Sequence, residues 1–180
     1  MTALTWTTAQ SLRELSLLMA AWLEGRIPSR PAYYGPAADE TTPLVPVLAA
    51  ACRAGYLTDS SQPGVDGPGF DGRRWRQRAA VTGYIPADAV LLTTLCESAR
   101  LAGLAVVLDG QPGGITVTEA DGRPVTGFGD LLPRRHLRTT WAGVPRPAVD
   151  QLVTARQLTI VDLTWGPTDL LWQVLAGATR

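Results

Sequence analysis

The chain has 180 residues, 46% of them hydrophobic and 18% charged, a composition that excludes an intrinsically disordered protein and suits one globular domain. Its basic residues are all arginine and balance the acidic ones to a formal net charge of zero, which argues against nucleic-acid binding by bulk phosphate neutralisation. No apolar run approaches the ~20 residues of a membrane span, and Met1–Ala9 lacks the features of a signal peptide, so we expect a cytoplasmic protein without membrane contact.

Two helices are predicted in the first third of the chain. Apolar residues recur at helical spacing from about Ser11 to Glu24, and Gly25 ends the pattern. Residues 28–39 contain three prolines and predict an extended loop. A second helix is predicted from Thr42-Pro43 to about residue 54, because Thr caps helices and Pro is favoured at the first helical position.

The next segment predicts a strand, a loop and a second strand. Residues 56–58 form a short apolar strand pattern, and residues 59–72 are so rich in Gly and Asp that they predict a long loop. Residues 74–82 alternate in polarity, which predicts one strand whose row of arginines faces solvent.

The remaining elements interleave helices and strands. We predict helices over 86–102, 147–156 and 168–176, a central strand over 104–108, a hairpin of 115–119 with 123–126, and a strand over 158–163. Because no regular βαβ repeat is present, the fold expected is an α/β single domain of mixed β-sheets flanked by about five helices.

Metal binding and standard catalytic motifs have little support. Cys52 and Cys96 lie in apolar helical patterns and are expected to be buried, and a single His136 supplies no multi-imidazole site. Asp59, Asp66 and Asp71 do not have the spacing of a calcium loop. No P-loop, Rossmann fingerprint or Ser-His-Asp set is present. Residues 134–138 are basic, and a solvated loop is expected there, with phosphate or partner contact as the alternative.

Three segments carry a specific pattern. The first is Trp22-Leu23-Glu24-Gly25-Arg26-Ile27-Pro28-Ser29-Arg30, followed by Glu40-Thr41. The second is Gly55-Tyr56-Leu57-Thr58-Asp59-Ser60-Ser61-Gln62-Pro63, which continues to Val65-Asp66-Gly67. The third is Leu158–Leu163 with Leu171-Trp172-Gln173-Val174-Leu175. Together, over about residues 15–177, they resemble the regulatory domain of eukaryotic-type methylenetetrahydrofolate reductase. The flavin-binding catalytic barrel of that enzyme has no counterpart in the chain.

The resemblance implies a ligand and a site. In that family the domain binds S-adenosylmethionine or S-adenosylhomocysteine, and the matching positions here are Glu40, Thr41, Thr58 and Ser61, with Thr140 as a further match. A carboxylate suits a sulfonium, an amino group or ribose hydroxyls, and short hydroxyls suit a carboxylate. The family has a second ligand-contacting Thr in a longer stretch after Thr140-Trp141, and that stretch is short here.

The resemblance leads us to expect a stand-alone adenosyl-binding module with a sensor or regulatory role and a possible protein partner. In the simplest alternative, Glu40 and Thr41 only start a helix, and Thr58 and Ser61 only stabilise a turn. A second alternative is an enzyme that cleaves a sulfonium nucleoside with Glu40, Asp59, Tyr33 or Tyr34. A third is an interaction scaffold that has lost its ligand.

Overall fold

The structure, a computed structural model, describes residues 4–180, and the first three residues of the Met1–Ala9 segment lie outside this range. Groups of strands are interspersed with helices along the chain. The α-helices of this range are α1 (Leu12–Leu23), α2 (Val45–Ala54), α3 (Val90–Leu101), α4 (Arg134–Thr140), α5 (Arg146–Thr154) and α6 (Leu170–Ala178). A 3-10 helix, Asp39–Leu44, precedes α2 directly.

The strands are β1 (Ser29–Arg30), β2 (Tyr33–Tyr34), β3 (Leu57–Gln62), β4 (Val65–Pro68), β5 (Arg74–Gln77), β6 (Ala80–Ile85), β7 (Ala105–Leu108), β8 (Ile115–Ala120), β9 (Arg123–Phe128) and β10 (Arg156–Val161). They form a four-stranded sheet in the order β3-β6-β10-β7, a second sheet in the order β4-β5-β8-β9, and the β1-β2 pair. An α/β single domain is therefore confirmed.

The prediction of mixed sheets is wrong, because every pair of these strands in the described range is antiparallel. The strand over 104–108 is also not central. As β7 it lies at the edge of the first sheet and pairs only with β10, and three of its four residues are partly exposed. Its apolar run packs against the helix α3. Periodicity alone cannot distinguish such an edge strand from a central strand.

The predicted strand over 74–82 is two strands in different sheets. The chain changes sheet at Arg78-Ala79, where the Arg78 amide donates to the carbonyl of Val117. The Arg78 guanidinium donates to the carbonyls of Thr116 and Leu163, and it lies 4.1 Å from the centre of the Trp165 ring. The arginine row is therefore tied to protein acceptors, not only to solvent.

The predicted loop over 59–72 is half strand. β3 continues to Gln62, and β4 pairs with β5 from Val65 to Pro68. A β-bulge interrupts the pairing of β3 with β6 between Thr58 and Ser60, so that Asp59 has no partner residue on β6. Bulges change the direction of a side chain, and this one sets the direction of Asp59.

The main core lies between the helices and the first sheet. Fully buried side chains from both layers fill it, including Leu15, Leu48, Leu95, Leu152, Ile160 and Leu171. The Tyr56 hydroxyl donates to the carbonyl of Leu158, 2.9 Å away, inside this core. Cys52 and Cys96 are both buried free thiols, as predicted.

A sixth helix was not predicted. α4 covers the basic segment for which a solvated loop was expected, and Leu137 is its one buried residue. A single apolar residue in seven produces no amphipathic stripe, so the sequence carried no periodic signal for this helix. The second helix also differs slightly from its prediction, because Thr42 and Pro43 lie in the 3-10 helix and α2 begins at Val45.

Candidate functional site

A cleft of about 190 Å³ opens where the end of α1, the β1-β2 hairpin, the 3-10 helix and β3 meet. We call it the Glu40 cleft. Its lining residues are Trp22, Leu23, Arg30, Tyr33, Ala38, Glu40, Thr41, Thr58, Asp59, Ser60 and Ser61. Four of the five predicted site residues, Glu40, Thr41, Thr58 and Ser61, thus lie together although they come from different elements.

An ion pair crosses the cleft from the hairpin to β3. The Arg30 guanidinium donates to the Asp59 carboxylate at 2.8 Å and to the Asp59 carbonyl at 3.2 Å. Both side chains are largely buried, with exposed fractions of 16% and 20%. Arg30 Nε is buried and has no hydrogen-bond partner among the described residues. The cleft therefore holds a buried donor that a bound acceptor can satisfy.

Two aromatic rings form a corner beside this ion pair. The rings of Trp22 and Tyr33 meet edge to face, with centroids 5.8 Å apart and planes at 80°. The Arg30 guanidinium carbon lies 5.3 Å from the first centroid and 5.9 Å from the second. The Trp22 indole N–H donates to the Gly35 carbonyl, which fixes its ring. These contacts hold the Arg30 guanidinium against both rings. The Tyr33 side of the corner remains 42% exposed.

The four predicted residues differ in how available their polar atoms are. Thr58 is buried, and its hydroxyl lies 3.2 Å from the Cys52 sulfur. Burial raises the pKa of Cys52 to about 11, so this thiol is neutral near pH 7. By contrast, the side chains of Glu40, Thr41 and Ser61 make no hydrogen bond within residues 4–180. Those three can contact a ligand without breaking an existing bond.

The charge of the cleft is negative. Two carboxylates, Glu40 and Asp59, face one guanidinium, Arg30. Asp59 is paired with Arg30, whereas Glu40 is exposed and has no cationic partner in the part of the chain described. The uncompensated charge therefore resides on Glu40, at the side of the cleft formed by the 3-10 helix.

Thr140 does not belong to this group. It is the last residue of α4 and is absent from the lining of the Glu40 cleft. Its assignment came from the match before Trp141, and Trp141 itself is buried in the main core. Tyr34, considered for catalysis, is also outside the cleft and is 94% exposed.

Sequence reasoning missed the role of Arg30, Trp22 and Tyr33 in forming this cleft. Trp22 lies in the apolar helical pattern that predicts the first helix, and such a position is typical of a core residue. It is indeed mostly buried, and it also lines the cleft. Arg30 is the last residue of the first motif, but nothing in the local sequence links it to Asp59, which is 29 residues away. The only local signal was the cluster of Tyr33 and Tyr34 in a proline-rich segment.

No group of three or more His, Cys, Asp or Glu residues within 4–180 is arranged to hold a metal ion. The three aspartates considered for calcium each pair with a different arginine: Asp59 with Arg30, Asp66 with Arg74, and Asp71 with Arg73. The Trp75 indole N–H and Arg73 lower the pKa of Asp71 to about 2. No helix among these residues has the length and apolar character needed to cross a bilayer.

Fold and cleft together define a small α/β protein with a polar and aromatic cleft between a helix end, a hairpin and a sheet edge. The chain belongs to the family described as "Domain of unknown function (DUF6919)", whose model matches residues 1–180. A search of curated proteins found no match.

Proposed function

We propose that the protein is a stand-alone binding module for S-adenosylmethionine, S-adenosylhomocysteine or a related adenosyl compound, with a sensor or regulatory role. The observation that supports this most is the convergence of Glu40, Thr41, Thr58 and Ser61 on one cleft. These residues were selected from separate motifs by resemblance to methylenetetrahydrofolate reductase regulatory domains, and the fold places them side by side.

The chemistry of the cleft suits such a ligand. Glu40 offers an unpaired carboxylate to a sulfonium or an amino group, and Arg30 Nε offers a buried donor to an acceptor. The exposed part of Tyr33 offers an aromatic surface for a purine. Because the net charge of the three ionised side chains is negative, we expect S-adenosylmethionine, which carries a sulfonium charge, to bind more tightly than S-adenosylhomocysteine, whose thioether sulfur is uncharged.

The size of the cleft limits the affinity. Drug-sized ligands usually occupy pockets of about 300–1,000 Å³. The Glu40 cleft is smaller, about 190 Å³, and therefore encloses one end of an adenosyl compound while the other end stays at the surface. With that partial enclosure, the expected dissociation constant is on the order of 0.1 mM.

Isothermal titration calorimetry tests the proposal, with S-adenosylmethionine and S-adenosylhomocysteine as titrants up to millimolar concentration. Glu40→Gln should weaken S-adenosylmethionine binding by about fivefold and affect the thioether less, since it removes one charge at the cleft. Glu97→Gln, an exposed glutamate on α3, is the matched control and should change neither affinity. Ser61→Ala tests the β3 side of the cleft.

Two results would reject the proposal. One is the absence of binding heat for both compounds at millimolar concentration, and the other is an equal effect of the two glutamate substitutions. Chromatography of the same samples after incubation detects products of sulfonium cleavage. Turnover that Glu40→Gln abolishes would replace the sensor role with the enzymatic alternative.

A further inference from the structure

A second and larger cavity, of about 460 Å³, lies between the first sheet and the segment that leads into α4. We call it the Tyr84 cavity. Its lining residues are Tyr84, Asp109, Leu131, Leu132, Pro133, Arg134, Leu137, Val153, Ala155 and Gln157. It shares no lining residue with the Glu40 cleft. Its volume is in the range of pockets that hold small organic molecules.

Two buried polar side chains form the floor of the Tyr84 cavity. Tyr84 on β6 and Gln157 on β10 are directly paired across the strands, so they project side by side from one face of the sheet. Their exposed fractions are 3% and 9%. The Gln157 amide nitrogen donates to the Asp130 carbonyl, which leaves its amide oxygen as a free acceptor.

The Tyr84 hydroxyl makes no hydrogen bond to any other residue within 4–180. Burial raises the pKa of this phenol, so the group stays protonated and remains a donor. The hydroxyl is not one of the buried polar atoms without a partner, so it reaches the open space of the cavity although the residue as a whole is 3% exposed. It can therefore donate to a polar atom of a molecule in the cavity.

The walls are apolar and the rim is positively charged. Leu131, Leu132 and Leu137 line one side, and the first two remain 60% and 36% exposed. At the rim, Asp109 is held by Arg156 at 2.6 Å, whereas Arg134 has no carboxylate partner in the part of the chain that the structure covers. The one rim charge without a partner is therefore positive.

From these observations we infer that the Tyr84 cavity binds a small organic carboxylate with an apolar body. Arg134 pairs with the carboxylate at the rim, the leucines enclose the body, and Tyr84 with Gln157 binds a polar atom at the inner end or an ordered water there. The inference does not depend on what occupies the Glu40 cleft.

Titration of the isotopically labelled protein with octanoate, followed by NMR, tests the inference, with 1-octanol as the uncharged probe of equal chain length. Octanoate should shift the Gln157 side-chain amide and the backbone amides of 131–137 saturably, and octanol should bind at least about fivefold more weakly. Arg134→Gln should weaken octanoate about tenfold, to the level of octanol. Arg135→Gln, the adjacent exposed arginine of α4, is the matched control and should leave the affinity unchanged.

Tyr84→Phe removes only a hydroxyl. It should weaken the binding of a longer carboxylate that carries an ω-hydroxyl more than it weakens the binding of octanoate. Three results would overturn the inference: no saturable shift with octanoate up to roughly 10 mM, equal affinity in the two arginine variants, or shifts confined to another part of the protein. Since Arg134 is an exposed residue, loss of folding does not obscure its result.

Discussion

Replacement of Arg30 by methionine should destabilise the protein more than replacement of any surface arginine. The substitution removes two charge-assisted hydrogen bonds to Asp59 and two contacts with aromatic rings, while it keeps much of the apolar stem. Hydrogen bonds to charged groups contribute about 1.5–3 kcal/mol and a cation over a ring about 0.5–1 kcal/mol. Because up to a fifth of each ion-pair side chain is exposed, we take the lower part of this range, about 2 kcal/mol.

For a domain of this size, about 2 kcal/mol corresponds to a fall in Tm of about 4–8 °C. Thermal unfolding followed by circular dichroism measures it, and urea unfolding gives the free energy directly. Arg26→Met is the matched control, because Arg26 also pairs with a glutamate, Glu24, but is 61% exposed. It should cost about 0.5 kcal/mol or less. Equal Tm values for the two variants would refute the view that the Arg30 pair organises the cleft.

Two further predictions concern the interior next to the cleft. Burial raises the pKa of Cys52 to about 11, so the unfolded chain loses this proton at a lower pH than the folded protein does. Between about pH 8 and about pH 10, the wild type should therefore lose about 1–2 kcal/mol more stability than Cys52→Ser. Urea unfolding of both proteins measures this, and a stability difference that stays constant over this pH range would contradict the prediction. Gly83→Ala should lower the free energy of unfolding by about 3 kcal/mol or more, because the new Cβ would lie 2.2 Å from the Leu57 carbonyl oxygen between paired strands. Gly67→Ala is the control and should be tolerated, because open space surrounds that position. Equal midpoints of the two variants in denaturant would refute this difference.

Most of the helices and one hairpin could be predicted from local sequence patterns. Five of the six helices in the described range follow from apolar periodicity and end signals, and the hairpin of β8 and β9 follows from alternation around Asp121-Gly122. The division of 74–82 between two sheets could not be predicted this way. It depends on Arg78 reaching carbonyls on residues 116 and 163, which are far away in sequence.

The same distinction between local signals and long-range contacts applies to the candidate site. Residues inside conspicuous motifs, such as Glu40 and Ser61, were identified from sequence, and the fold brings them together. Arg30 was not identified, because its importance comes from a bulge at Asp59 that only the pairing of β3 with β6 creates. The Tyr84 cavity had no sequence signal at all, since its floor is a cross-strand pair and its lid includes the unpredicted α4.

The most direct test of the proposed function is a crystal structure of the protein grown with S-adenosylhomocysteine, the more stable of the two nucleosides, at several times its dissociation constant. The proposal predicts ligand density between Tyr33 and Ser61, with a polar ligand atom within hydrogen-bonding distance of the Glu40 carboxylate. An empty Glu40 cleft under these conditions, or nucleoside density only at another surface, would contradict it.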